Sequence, residues 1–234
     1  MKIKGVLYLS CIIMYMKGML YIRLGLLLGI LLCDPFILEG IPVCPDAGIQ
    51  NVDDSNSLIT GVLIDTVYCI LDTDQSYALY LPSGYDSAMS WPVVFIFEPG
   101  ARGSMAAGIF SEASERFGII IIASNNSSNR SYAGSRRAAA SMFRDAGMRF
   151  NVDSSMFFVA GFSGGSRMSF VLAEHRKSKD FAGVLACGAG GRPEKLSSGT
   201  VVYGLCGSKC FNRWDMACTF KGIRNKDSRL RYFP

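Results

Sequence analysis

The sequence predicts an α/β fold: a mostly parallel central sheet with helices on both faces. Three observations carry this. Five short runs are apolar throughout: PVVFIF (92–97), IIIIA (119–123), MFFVAGF (156–162), AGVLACG (182–188) and TVVYGLCG (200–207). Strands buried on both faces, as in parallel sheets, read this way. Helical patterns fall between the runs, at 104–117, 132–150, 165–177 and 211–224, and such alternation implies crossover connections between parallel strands. Two stretches ahead of the runs behave differently. Residues 58–71 and QSYALYLP (75–82) alternate apolar with polar and read as two antiparallel edge strands. Arg229–Phe233 reads as one more strand, so the chain is expected to lack the loop that follows it.

The parts before this domain are distinct. Residues 1–40 hold two basic-then-apolar units, Lys2 and Lys4 before GVLYLSCIIMYM and Lys17 and Arg23 before LGLLLGILLC. The second has the length of a signal-peptide apolar region and is short for a spanning helix. Residues 1–40 are therefore expected to be a signal peptide or an uncleaved membrane anchor, and the domain to be exported. Translation starting at Met16 or Met19 would leave the second unit as the whole leader. Residues 41–57 are rich in turn formers and read as a linker, which leaves 58–234 as the domain.

Composition narrows the function. The 234 residues carry a net charge of +5 with 18% charged residues and no dense Lys/Arg stripe, which argues against nucleic-acid binding. Neither GARG nor GFSGG matches a phosphate-binding or dinucleotide-binding fingerprint, so no cofactor is expected. Cys206, Cys210 and Cys218 are spaced unlike common zinc ligands, and no metal is expected. Cys187 and Cys206 lie in apolar runs and read as small buried hydrophobes. An exported chain could pair two of Cys44, Cys69, Cys210 and Cys218, in a combination the sequence does not reveal.

The chemistry sits in VAGFSGGSRMSF (159–170). Gly161-Phe162-Ser163-Gly164-Gly165 is a G-x-S-x-G pattern between an apolar strand and a helix. A serine there has its hydroxyl exposed and the N–H groups of a helix N-terminus beside it, where a developing oxyanion is stabilised. The bland alternative is a glycine-rich turn with a capping serine. FEPGARG (97–103) follows an earlier strand, and its glycines would let backbone amides approach a substrate. Its alternative is an ordinary tight turn.

Five collinear stretches, YALYLPSGYD…WPVVFIFEPGARG, ASNNSSN, NVDSSMFFVAGFSGGSRMS, AGVLACGAG and GSKCFNRWDM, together resemble the α/β-hydrolase fold over residues 75–234. Within it they are similar to exported esterases such as polyhydroxybutyrate depolymerases and feruloyl esterases. The resemblance implies Ser163 as nucleophile, backbone amides at Gly164 and around Gly100 and Ala101 as the oxyanion hole, and a small-molecule or polymeric ester as substrate.

Two departures accompany it. In similar proteins the loop after the strand at 200–207 reads Gly-x-x-Asp-x-Asn, with Asp as the triad acid. Here Gly207-Ser208-Lys209-Cys210-Phe211-Asn212 puts Cys210 at the acid position. A thiol does not hold a carboxylate's charge at neutral pH. The triad histidine of such proteins follows the last strand, where this sequence stops. The one histidine, His175, lies twelve residues past Ser163, roughly 15–18 Å along a helix and beyond hydrogen-bond reach. Two readings stay open: a serine ester hydrolase, truncated and impaired, or a non-catalytic α/β scaffold that binds a ligand.

Overall fold

The computed structural model describes residues 59–175 and 181–233. The expected leader at 1–40 and linker at 41–57 lie outside the described residues.

Eight strands form one sheet: β1 (Leu63–Cys69), β2 (Asp72–Tyr80), β3 (Trp91–Phe97), β4 (Ile120–Ser124), β5 (Val152–Phe162), β6 (Gly183–Cys187), β7 (Val201–Gly207) and β8 (Arg229–Phe233). Their spatial order is β1-β2-β4-β3-β5-β6-β7-β8. β2 runs antiparallel to both neighbours, and every other pairing is parallel. The helices are α1 (Gly103–Phe117), α2 (Tyr132–Arg149), α3 (Gly164–His175) and α4 (Arg213–Gly222), with a 3-10 turn at Pro193–Lys195.

The continuous apolar runs have a physical reason in this sheet. Along β3, Val93, Phe95 and Phe97 enter one core while Val94 and Ile96 enter the other. β5 does the same with Phe157 and Val159 against Phe158 and Ala160. α1 covers one face through Ala106, Ala107, Phe110 and Ala113. α2 and α3 cover the other through Met142, Phe143, Met168 and Phe170. With both faces covered, neither side of a strand can be polar.

Two expectations need correction. β2 is an interior strand, because its second edge is taken by β4, with Leu79 opposite Ile122; only β1 lies at that edge. β5 also begins at Val152, earlier than the apolar run, because Trp91 pairs with Val152 before the register shifts to Val93 and Phe157. The polar residues of this extension lie outside the two cores, which hid it from hydropathy.

The hairpin end is fixed by a buried carboxylate. Asp145 of α2 accepts bonds from the Tyr77 hydroxyl (2.5 Å), the Ile70 amide (2.7 Å) and the Arg149 guanidinium (2.8 Å). Burial, and then Asp145 itself, push the Tyr77 hydroxyl well above its ordinary range.

Candidate active site

The carboxyl ends of the parallel strands gather the residues singled out above, as expected for ligand sites in open α/β sheets. β5 ends at Phe162, α3 begins at Gly164, and Ser163 alone makes the turn. Its φ is +53°. An L-residue in this left-handed region is strained by about 1–2 kcal/mol. A capping serine ordinarily has extended backbone angles, so the backbone here differs from the bland alternative. The strain is held from both sides. The Ser163 N–H donates to the Cys187 carbonyl at 2.7 Å, and the Ser163 carbonyl accepts from the Arg167 N–H at 3.2 Å.

The turn also requires its flanking glycines. A Cβ on Gly161 would fall 2.2 Å from the Gly165 carbonyl, and one on Gly165 would fall 1.9 Å from the Phe97 carbonyl. The start of α3 thus presses directly on the end of β3. The Gly164 N–H lies in the first turn of α3, whose amides have no acceptor within the helix.

The loop after β3 uses its amides on itself. Glu98, 3% exposed, accepts from the Gly100 N–H at 2.7 Å and the Arg102 N–H at 3.2 Å, and pairs with the Arg102 guanidinium. The Ala101 N–H donates to the Glu98 carbonyl at 3.2 Å. Burial pushes the Glu98 carboxyl up, but Arg102 and the two amides outweigh it and hold it below the ordinary carboxylate range. Ala101 takes a φ of +58° to close this loop. The two amides assigned to an oxyanion hole from sequence, at Gly100 and Ala101, are therefore both engaged within the loop. Their spacing gave no sign of this, because both acceptors belong to Glu98 of the same loop, its carboxylate for Gly100 and its backbone carbonyl for Ala101.

Between the two turns lies a cavity of about 180 Å³ lined by Pro99, Asn129, Tyr132, Gly164, Arg167 and Met168, among others. The Asn129 N–H donates to the Pro99 carbonyl at 3.0 Å, and the Asn129 carboxamide lies where a Cβ on Gly164 would stand, 1.7 Å from its oxygen. Asn129, Tyr132 and Arg167 were not foreseen. Asn129 and Arg167 fall within the ASNNSSN and NVDSSMFFVAGFSGGSRMS stretches of the resemblance, which gave neither of them a role.

Cys210 lies in the turn between β7 and α4, half-buried, with its thiol 4.0 Å from the Gly188 carbonyl. Asn212 donates to the same carbonyl at 2.8 Å. Asp215, in the first turn of α4, is committed elsewhere: it accepts from the Gly190 N–H at 3.0 Å and pairs with Arg167 at 2.9 Å. His175 closes α3, eleven residues after Gly164, or roughly 16 Å along the axis. The described thiols of Cys69, Cys187, Cys206, Cys210 and Cys218 are all free, and Cys44 lies outside the described residues.

Comparison with solved structures agrees with the fold. The chain is similar to a thermostable esterase (14% identity, TM-score 0.57, 74% of this chain and 53% of that one). It is similar to a ferulic acid esterase (14% identity, TM-score 0.55, 74% and 88%). A third match is MGS-M1, an α/β-hydrolase enzyme from a Medee basin deep-sea metagenome library (13% identity, TM-score 0.55, 73% and 79%). No family model matches the chain, and no curated protein matches it by sequence. The chain spans about half the length of the first of these structures. The fold is that of the α/β-hydrolases.

Proposed function

We propose that the domain is a serine ester hydrolase by descent, with Ser163 as its nucleophile. The observation that carries this reading is the backbone of Ser163, a strained non-glycine residue at the strand-to-helix turn after β5. Strain of that kind persists only where the surroundings over-determine it, and it clusters at functional sites. The solved structures similar in fold that are described as esterases support the same class.

In this reaction the Ser163 Oγ attacks the ester carbonyl carbon and its proton passes to a base. The oxyanion of the tetrahedral intermediate meets the Gly164 N–H at the positive end of α3. The alcohol leaves with a proton, and water then cleaves the acyl-enzyme. The cavity beside Gly164 is smaller than pockets that enclose drug-sized ligands, so it suits a short acyl or alcohol group. Phe162, Phe211 and Trp214 are exposed near the same strand ends and offer apolar surface to a larger or polymeric ester. The second oxyanion donor, from Gly100 or Ala101, requires the 98–102 loop to release Glu98. Export of the domain by residues 1–40 completes the reading.

The 234-residue chain by itself is expected to be a weak catalyst. Its single histidine is distant from Ser163 along α3, and Cys210 stands at the acid position. A neutral serine hydroxyl is a poor nucleophile without an adjacent base. These same features, with the engaged amides of Gly100 and Ala101, favour a second reading, a non-catalytic scaffold that binds an ester or saccharide in the cavity. The test is hydrolysis of p-nitrophenyl acetate with imidazole added as an external base. Turnover above that of the Ser163→Ala chain at the same imidazole concentration supports the nucleophile. Equal rates in the two chains leave the scaffold reading.

A further inference from the structure

The turn between β7 and α4 carries two thiols that ester chemistry does not use. Cys206 is the penultimate residue of β7 and is buried; Cys210 follows within one turn, half-buried and packed against the same core. The Cys210 N–H donates to the Gly207 carbonyl at 3.0 Å, so the chain reverses over four residues. That reversal brings the Cys210 side chain back over the strand end, where its Cβ is 3.8 Å from the place a Gly207 Cβ would occupy. Cys206 and Cys210 stand four residues apart across this reversal and pack against the same core. Their thiols make only weak contacts to carbonyls, 3.6 Å from Cys206 to Gly207 and 4.0 Å from Cys210 to Gly188. Cys206 is thus more than the small buried hydrophobe its apolar run suggests, because a second, half-buried thiol lies across the turn from it.

We propose that Cys206 and Cys210 are a redox modification site that forms a reversible disulfide closing the β7–α4 turn. The oxidant is a small-molecule disulfide. The Cys210 thiolate attacks one of its sulfurs, forming a mixed disulfide and expelling one small thiolate. The Cys206 thiol then loses its proton to solvent and attacks the Cys210 sulfur, expelling the second small thiol. Two protein thiols are oxidised and one small disulfide is reduced to two thiols. Exposure sets this order, since only Cys210 is open to an incoming reagent. Burial, with Cys210 adding to it, pushes the Cys206 thiol up to about 11, which suits the resolving role and not the attacking one. The turn lies against Gly188, next to the Cys187 carbonyl that holds Ser163, so oxidation acts beside the nucleophile's backbone. The pairing does not depend on the esterase reading.

Lys209 lies between the two cysteines and makes the test direct. Trypsin separates 196–209, which contains Cys206, from 210–213, which contains Cys210. The full chain carrying Cys218→Ser is treated with oxidised glutathione, alkylated, digested and mapped by mass. The expected result is the two peptides joined by one disulfide, lighter by two hydrogens than their sum. Dithiothreitol before alkylation should return two separately alkylated peptides. Because Cys210 is partly exposed, Cys210→Ser is expected to fold and to leave Cys206 reduced. Separate alkylation of both peptides after oxidation would overturn the proposal. So would a glutathione adduct that persists on Cys210, or a link from either cysteine to another one.

Discussion

At the end of β5 the chain turns in a single strained residue, with glycines before and after it that admit no side chain. At the end of β7, two strands away in the same sheet, it turns through the exposed residues Ser208 and Lys209. The first turn is fixed by backbone packed so close that a Cβ on Gly161 or Gly165 would fall about 2 Å from it, and by hydrogen bonds to β6 and at the start of α3. The second is held by backbone bonds from Ser208 to the Phe233 carbonyl of β8, from Cys210 to Gly207 and from Arg213 to Cys210, by one asparagine bond to Gly188 and by weak sulfur contacts, with no side chain excluded by packing. An α/β-hydrolase site needs both ends, one for the nucleophile and one for the acid that orients its base. The difference teaches that the Ser163 turn is part of the fold's packing, whereas Cys210 is a half-buried side chain on a turn held by backbone bonds. The first persists as long as the sheet packs; the second can change without disturbing it.

The largest expected effect comes from crowding the tight turn. Gly165→Ala puts a methyl into the Phe97 carbonyl, and nothing there is a flexible side chain. A loss of about 3 kcal/mol or more in unfolding free energy is expected, from overpacking and displaced backbone. Chemical denaturation followed by circular dichroism measures it. If the variant is as stable as the parent, α3 does not press on β3 as described.

A smaller effect of opposite sign tests the strain itself. Ser163→Gly removes the Cβ penalty at a φ of +53° and should be more stable than Ser163→Ala by about 1 kcal/mol. Comparing the two variants cancels the loss of the hydroxyl. The smallest effect belongs to the β7–α4 turn. Cys210→Ser changes a half-buried thiol with one weak contact, and stability should move by less than about 0.5 kcal/mol. A change as large as that of Gly165→Ala would erase the contrast between the two turns.

The parallel sheet was legible because burial on both faces makes a run such as Val93–Phe97 apolar at every position. The Ser163 turn was legible for a related reason: steric exclusion at Gly161 and Gly165 leaves a mark in residue type. The interior position of β2 was not, since alternation reports a half-polar face and not the neighbours at a strand's edges. The closing of Glu98 on Gly100 and Arg102 was hidden too, because a carboxylate that folds back on its own loop has the same letters as one facing solvent. The Arg167–Asp215 pair joins residues far apart in sequence through the third dimension, and no spacing announces it. The identity of residue 210 was plain, but its pairing with Cys206 became visible only when the turn returned Cys210 to the end of β7 against the same core.

The central claim is the proposal that the Ser163 turn places a nucleophile while neither His175 nor Cys210 is placed to activate it. The most direct measurement is p-nitrophenyl acetate turnover by the chain and by a version carrying Cys210→Asp and a Gly-Gly-His loop added after β8, each with its Ser163→Ala control. In a serine protease, loss of the histidine lowers kcat by about 10⁶-fold, roughly 8 kcal/mol of barrier. The account predicts turnover by the 234-residue chain close to that of its Ser163→Ala control, and a Ser163-dependent gain of orders of magnitude in the extended version. Robust Ser163-dependent turnover by the unextended chain would contradict it, because a base would then lie within reach of Ser163 that the positions of His175 and Cys210 do not supply.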